Sequence, residues 1–188
     1  SSKSKWIPVT NQIGRRMSLR ELTAEKHHDA ERTEFVKELL GGSITEERYA
    51  TFLFNLHPIY HVLESFAMIN GSMDGLDDLC RANSIYEDYL ELWKDTKPPE
   101  LCPTVDRYLK YIKDELSPNP DRLFAHVYVR HMGDLAGGQM IAKRVPGSGT
   151  MYKFENGEEL KNKIRSKLND TMGDEANVAF DFAISFYI

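Results

Sequence analysis

The chain has 188 residues, and its 24 Lys and Arg against 29 Asp and Glu give a formal net charge of −5. A chain of this length can bury ~70% of its unfolded surface, which favours a single domain over residues 1–188. The acidic balance excludes a globally basic nucleic-acid binder. Residues 1–14 are expected to be flexible or foreign to the native protein.

Neither a disulfide framework nor a membrane segment is predicted. Cys80 and Cys102 form no CxxC pattern and are expected to be free thiols in a reducing compartment. No apolar run approaches the ~18–20 residues that cross a bilayer, and the chain start lacks the apolar stretch of a signal peptide. We therefore expect a soluble protein with neither a membrane nor nucleic acid as a partner.

The first predicted helix covers residues 18–40. Ser18 fits the N-cap position, and the pair Gly41-Gly42 supplies a C-terminal stop. A second helix follows from an S-x-x-E capping pattern at Ser43 and extends to the turn at 70–75. Within it, Pro58 removes a backbone donor and predicts a kink.

A glycine-bearing helix is predicted over 121–144. Its interior contains Gly133, Gly137 and Gly138, each costing about 1 kcal/mol relative to Ala, so the backbone there is expected to bend or to approach something closely. Strand patterns are almost absent, which indicates an all-α, single-domain helical bundle. Further helices are expected over 84–94, 104–116, 157–169 and 174–188.

Helical spacing allows two kinds of metal or cofactor site. His57 and His61 are four residues apart, as in helical zinc sites, but no acidic partner completes an HExxH motif, and a packed or solvated pair is the stronger explanation. Glu25 and His28 form one E-x-x-H motif, whereas a di-iron bundle needs two such motifs and two further Glu residues. The di-iron hypothesis is therefore incomplete.

A flat cofactor is the second possibility. His27 shares a helix stripe with Arg20, about 10 Å away along the axis, so an imidazole ligand and a carboxylate-binding guanidinium could serve one planar group. His28 lies nearer the apolar face of the same helix. An argument from the apolar face alone could therefore select either histidine as the ligand.

The glycine-bearing helix presents a stripe without Cβ atoms. Gly133 and Gly137 lie one turn apart, with Arg130 at the margin and Asp134 beside them. A planar ligand could lie against such a stripe, and a carboxylate at its edge could hold ordered water. Close helix–helix packing is the structural alternative.

Two stretches of the sequence together point to one family. The run LRELTAEKHHDAE at 19–31 has a Thr four residues before His27 and an Ala-Glu pair three and four residues after it. The run RHMGDLAGGQ at 130–139 is the more specific motif. These runs closely resemble the proximal and distal helix signatures of the haem oxygenase family, over about residues 19–187. Positions that depart from the family pattern are Pro58, His131, Met132, Ala136, Ala183 and Tyr187.

The resemblance implies a haem b molecule sandwiched between a proximal helix at about 18–40 and a kinked distal helix at about 121–144. Haem would be both prosthetic group and substrate. With O2 and external electrons it would be opened at the α-meso carbon to biliverdin IXα, Fe2+ and CO.

The resemblance also implies roles for individual residues. His27 would be the axial iron ligand, and Asp134 would organise the water that delivers protons. Catalysis at the distal helix would involve Gly133, Gly137 and Arg130 as well. The expected haem-contacting residues are Arg20, Tyr128, Lys161, Arg165, Glu31 and Phe180.

The implied electron donor is a ferredoxin, with a flavoprotein reductase as the alternative. A monomer in a bacterial or phage-infected cytoplasm, or in a plastid stroma, is expected. Two other functions stay open at this point. They are a non-catalytic haem-binding or haem-delivery protein on the same fold, and a non-haem di-iron bundle.

Overall fold

A computed structural model describes residues 18–186 of the chain. The predictions for residues 1–14 and for Tyr187 lie outside this range. Within it, every regular element is helical and no strand occurs, which confirms the all-α class. The eight α-helices of residues 18–186 are α1 Leu19–Glu31, α2 Glu34–Gly41, α3 Glu46–Ile69, α4 Ala82–Leu92, α5 Pro103–Tyr111, α6 Pro120–Ala142, α7 Gly157–Lys167 and α8 Gly173–Ile184.

The helix predicted over 18–40 is divided into α1 and α2. Ser18 is the N-cap of α1, as predicted, and its hydroxyl accepts a bond from the backbone N–H of Glu21 at 3.2 Å. Thr33 then starts a second helix by accepting from the N–H of Val36 at 3.3 Å. Because the Thr33 hydroxyl takes the place of a backbone carbonyl as acceptor, the series of backbone hydrogen bonds is interrupted there. The chain changes direction at this point.

The two long helices are α3 and α6. Thr45, and not Ser43, caps α3, because its hydroxyl accepts from the N–H of Arg48 at 3.1 Å. Pro58 lies inside α3, and α6 runs without interruption through its three glycines. The kink expected in the distal helix stays a prediction.

Two clusters of buried apolar side chains form the core. One joins α3 to α5, α6, α7 and α8, and the other joins α3 to α2 and α4; Phe52 packs against both. In α1, by contrast, only Leu19 and Thr23 are buried. Helix α1 packs mainly on α8, which in turn packs on α6, so α8 sets the spacing between α1 and α6. In the described part of the chain no helix is long and apolar enough to cross a membrane.

Candidate functional site

A cleft with two adjoining lobes separates α1 from α6. The lobes have volumes of about 930 Å³ and 480 Å³, within the range of small-molecule and cofactor sites. Because they share lining residues from α1, α6 and α8, we treat them as one cleft. The shared residues are His27, Tyr128, Met132, Ala136 and Phe180.

The larger lobe is basic. Arg20 of α1 and the pair Lys161 and Arg165 of α7 line it together with Tyr128 of α6. Burial raises the pKa of Tyr128, and the charges of Arg165 and Arg20 partly offset this rise, so the phenol lies in the field of both guanidinium groups. Three cations and a phenol in one lobe suit a ligand with carboxylates.

His27 lies where the two lobes meet. Its side chain is 59% exposed, and Nε2 is 3.4 Å from Oε1 of Glu31. The ring meets that of Phe180 edge to face, with 5.8 Å between centroids. His28 lines only the larger lobe, so the structure distinguishes the two histidines that helical spacing left equivalent.

The smaller lobe is lined by the open glycines of α6. A Cβ at Gly133 would meet nothing within 4 Å, and one at Gly137 would meet only Cδ1 of Ile141 at 3.9 Å. Gly138 serves packing, since a Cβ there would lie 3.2 Å from the ring of Tyr152. The absence of side chains at Gly133 and Gly137 therefore leaves α6 backbone open to a ligand in the cleft.

Asp134 is held by α3. The hydroxyl of Tyr60 donates to its Oδ2 at 2.6 Å. Burial raises the pKa of Asp134 to about 6, although His131, the Tyr60 hydrogen bond, Arg130 and Arg81 pull it down. Among the residues that the structure describes, neither lobe is lined by Asp134 or Arg130. These two predicted catalytic residues therefore sit beside the cleft wall.

The guanidinium of Arg130 lies 5.3 Å from the centre of the Tyr108 ring. Its Nε and Nη2 are buried and have no hydrogen-bond partner among the described residues. Buried donors of this kind are usually satisfied by an internal water or by a ligand.

Several polar partners of α6 were missed by sequence reasoning. Tyr60 reaches Asp134, and Glu64 reaches His131, both from α3. Further along, Glu175 of α8 holds His126 at 2.7 Å. One signal was available, because a carboxylate such as Glu64 within an apolar helix needs a buried partner. Which side chain supplies it depends on contacts between distant segments.

The histidine pair on α3 supports no metal centre. The rings of His57 and His61 stack 5.8 Å apart, and Tyr86 lies 5.0 Å from His57. Throughout residues 18–186, no group of three or more His, Cys, Asp or Glu side chains is placed to hold a metal ion. The di-iron hypothesis therefore finds no site in this part of the chain.

Comparison with known proteins points to one family. The family model described as "Heme oxygenase" matches residues 16–183. The chain belongs to the haem oxygenase family. A curated haem oxygenase from Porphyra purpurea is 31% identical over 191 residues, covering 89% of this chain and 80% of the relative. One from Pyropia yezoensis is 32% identical over 198 residues, covering 90% and 82%.

Solved haem oxygenases share the fold. The structure from Leptospira interrogans superposes with a TM-score of 0.76 at 26% identity, covering 90% of this chain and 98% of that one. Haem oxygenase-1 from the cyanobacterium Synechocystis, solved in complex with haem, gives a TM-score of 0.79 at 24% identity, covering 89% and 88%.

Proposed function

We propose that this chain binds haem in the two-lobed cleft and opens it to biliverdin, the reaction of its family. The observation that carries the proposal is the position of His27 between a lobe lined by cations and a lobe lined by open glycines. Bound haem would supply the iron that activates O2 and the macrocycle that is opened; with O2 and electrons from the donor, the ring would give biliverdin IXα and CO, and the iron would be released as Fe2+. The residues that line the cleft fit such a group, because it needs an imidazole, partners for two carboxylates and a flat surface without side chains.

His27 is proposed as the axial ligand of haem b. An exposed imidazole at the centre of the cleft can present a ring nitrogen to iron in its neutral form. Glu31, one turn along α1, is within reach of the ring and can orient it. Phe180 restricts the ring from the α8 side.

The basic lobe is proposed to bind the haem propionates. Arg20, Lys161 and Arg165 present cations from two helices, and Tyr128 adds a phenol donor. Two anchored carboxylates set the rotation of the macrocycle about the iron. Because the sequence resemblance implies these residues as propionate anchors, α-meso opening is the proposed outcome, and a β or δ biliverdin would contradict it.

Asp134 is proposed to supply protons during oxygen activation. A carboxyl group whose pKa is near 6 can take up and release a proton close to neutral pH, as a general acid–base group must. It follows Gly133 directly in α6, so it lies next to the open face of the helix. Arg130 has unpartnered buried donors that can hold the water between the carboxyl group and the cleft.

A ferredoxin is the proposed electron donor. The chain is acidic overall, yet Arg20, Lys161 and Arg165 gather at one side of the cleft. An acidic donor would be attracted to this local positive surface despite the net charge of −5. A flavoprotein reductase is the alternative.

We also propose one domain over the chain, supported by Phe52, a partly buried residue that packs against both apolar clusters. The proposed compartment is a bacterial cytoplasm or a plastid stroma, consistent with the similarity to algal haem oxygenases. The monomeric state stays a prediction.

Titration of the purified chain with haemin tests the proposal. A sharp Soret band is expected in the wild type and in His28→Ala, and we expect His27→Ala to lose it. With a ferredoxin, its reductase and O2, the wild type should form biliverdin. Asp134→Asn should bind haemin with similar affinity but form at least tenfold less biliverdin.

The outcomes separate the possible functions. Binding with no biliverdin from any donor would favour the haem-delivery alternative. An unchanged Soret band in His27→Ala would refute the assigned ligand.

A further inference from the structure

His131 of α6 has an acceptor at each ring nitrogen. The side chain is completely buried. Its Nδ1 is 2.8 Å from the carbonyl oxygen of Val127, and its Nε2 is 2.8 Å from Oε2 of Glu64. A neutral imidazole carries only one N–H and would leave one nitrogen lone pair facing an oxygen. The pair formed by His131 and Glu64 must therefore hold an extra proton.

The contacts of Glu64 show where that proton resides. Its Oε2 accepts from the backbone N–H of Arg81 at 2.6 Å, and its Oε1 accepts from the N–H of Ala82 at 3.0 Å. Arg81 is the N-cap of α4 and Ala82 is its first residue, so the helix dipole also favours an anion there. Two backbone donors stabilise the ionised carboxylate. The proton accordingly lies on His131, which is an imidazolium.

This buried charge lies one turn before Asp134 on the same helix. Tyr60 bridges the two, because its ring is 4.9 Å from that of His131 and its hydroxyl donates to Asp134. Of the groups that lower the pKa of Asp134, His131 has the largest effect. The other titratable groups in its field are Tyr60 and Tyr49 of α3, Arg81 before α4, Arg130 of α6, and Tyr152.

We propose that His131 is a positioning residue which, held as an imidazolium by Glu64, keeps the Asp134 carboxyl ionised at neutral pH. The role of Asp134 in proton supply rests on the proposed function, but its ionisation does not. His131 is also one of the positions where the distal signature departs from the family pattern.

The ionisation of Asp134 can be measured without haem. In the full chain labelled with 13C at the aspartate carboxyls, the Asp134 resonance is identified by its absence from Asp134→Asn, and its chemical shift is followed against pH. His131→Gln removes the charge and is expected to raise the midpoint by about one pH unit. His131→Lys restores a cation opposite Glu64 and should keep the wild-type midpoint.

Glu64→Gln gives a second, independent test, in which the direction of the change in the Asp134 midpoint is decisive. Removal of a nearby anion would by itself lower the midpoint of Asp134. If Glu64 holds the proton on His131, the variant instead leaves a neutral histidine, and the midpoint rises, although by less than in His131→Gln, where the anion remains. Should His131→Gln fail to fold, as judged by circular dichroism, Glu64→Gln decides alone.

His126→Gln is the matched control. This histidine is also buried on α6 and paired with a carboxylate, Glu175, but it is not among the groups that act on Asp134. Its substitution should leave the midpoint unchanged. An unchanged midpoint in His131→Gln, a lower one in Glu64→Gln, or an equal rise in His126→Gln would overturn the proposal. None of these results depends on haem opening, so the two proposals fail separately.

Discussion

Histidines of this chain differ in what their surroundings allow them to do. His27 is exposed in the cleft and open to a metal. His126 is enclosed, with Nδ1 2.5 Å from the hydroxyl of Tyr108 and Nε2 2.7 Å from Glu175. Burial lowers the pKa of His126, although Glu175 acts to raise it. Because both of its ring nitrogens have partners, His126 helps to pack α8 on α6. Residue type therefore identifies candidate metal ligands, and burial distinguishes a histidine that is open to a ligand from one that is enclosed by structural partners.

Asp134, the proposed proton donor, makes the stability of the folded chain depend on pH. Its pKa is raised from 3.8 to about 6 in the folded chain, so the native state binds this proton more tightly than the unfolded state does. Its contribution to stability is therefore greatest at low pH and is lost as pH rises between about 4 and 6. A residue selected only for stability would not be ionised in this position.

We expect Asp134→Asn to gain stability relative to the wild type as pH rises. The amide can still accept the Tyr60 hydrogen bond but carries no charge. The free energy of unfolding of the variant, minus that of the wild type, should increase by about 2 kcal/mol from pH 4 to pH 7. Urea denaturation at a series of pH values measures it. A difference that stays constant with pH would show that the carboxyl is not perturbed.

At the scale of elements, α6 uses glycine for opposite purposes on neighbouring positions. Gly133 and Gly137 leave space in the cleft, and Gly138 lets α6 approach Tyr152. The sequence identifies all three as unusual in a helix but treats them alike. The open glycines can be told from the packed one only when the positions of α1 and of residues 150–152 against α6 are known. Helical periodicity carries no information about those positions.

Substitution of the open and packed glycines should therefore have opposite effects. Gly133→Leu introduces a better helix former into open space, so stability should be unchanged or raised by up to about 1 kcal/mol. The leucine side chain should occupy the cleft and weaken haemin binding at least tenfold. In Gly138→Ala, the gain in helix propensity of about 1 kcal/mol offsets part of the cost of a Cβ 3.2 Å from Tyr152, so the free energy of unfolding should fall by up to about 2 kcal/mol with little change in binding.

Urea unfolding and Soret titration of both variants check this contrast. If Gly133→Leu bound haemin as well as the wild type, the helix face assigned to the cleft would be wrong.

Helix boundaries show a further limit at this scale. Apolar residues recur at helical spacing on both sides of Arg32 and Thr33. The pattern therefore predicts one helix where the chain forms two. Ser43 and Thr45 both suit an N-cap, and the structure uses Thr45. In both cases a short polar side chain competes for a backbone N–H, and the path of the chain decides which contact forms.

Across the whole molecule, α1 is a weakly integrated wall of the cleft. It buries only Leu19 and Thr23. Its contacts with α8 include the bond from Asn177 to the carbonyl of Leu22 at 3.1 Å and an exposed ion pair of Lys26 with Asp181 at 2.7 Å. An exposed ion pair contributes little. Helix α1 should thus open at a lower free energy than the core helix α3.

Hydrogen exchange followed by mass spectrometry should show this difference. Without haemin, the amides of α1 should exchange faster than those of α3. Haemin would join α1 to α6 through His27 and the basic lobe, so exchange in α1 should slow at least tenfold, while α4 changes little. In His27→Ala the protection should be lost. Equal protection of α1 and α4 would indicate a ligand bound elsewhere.

The sequence by itself determined the helical class, the unusual glycines, the basic residues and two candidate histidines, because helical periodicity and short motifs are local properties of a chain. Only the tertiary structure placed His27 in both lobes, set Gly133 and Gly137 apart from Gly138, and brought Glu64 to His131 across 67 positions of sequence. Those facts depend on how α3, α6 and α8 pack. Burial and charge pairing between distant segments are energies of the packed molecule, which no local pattern encodes.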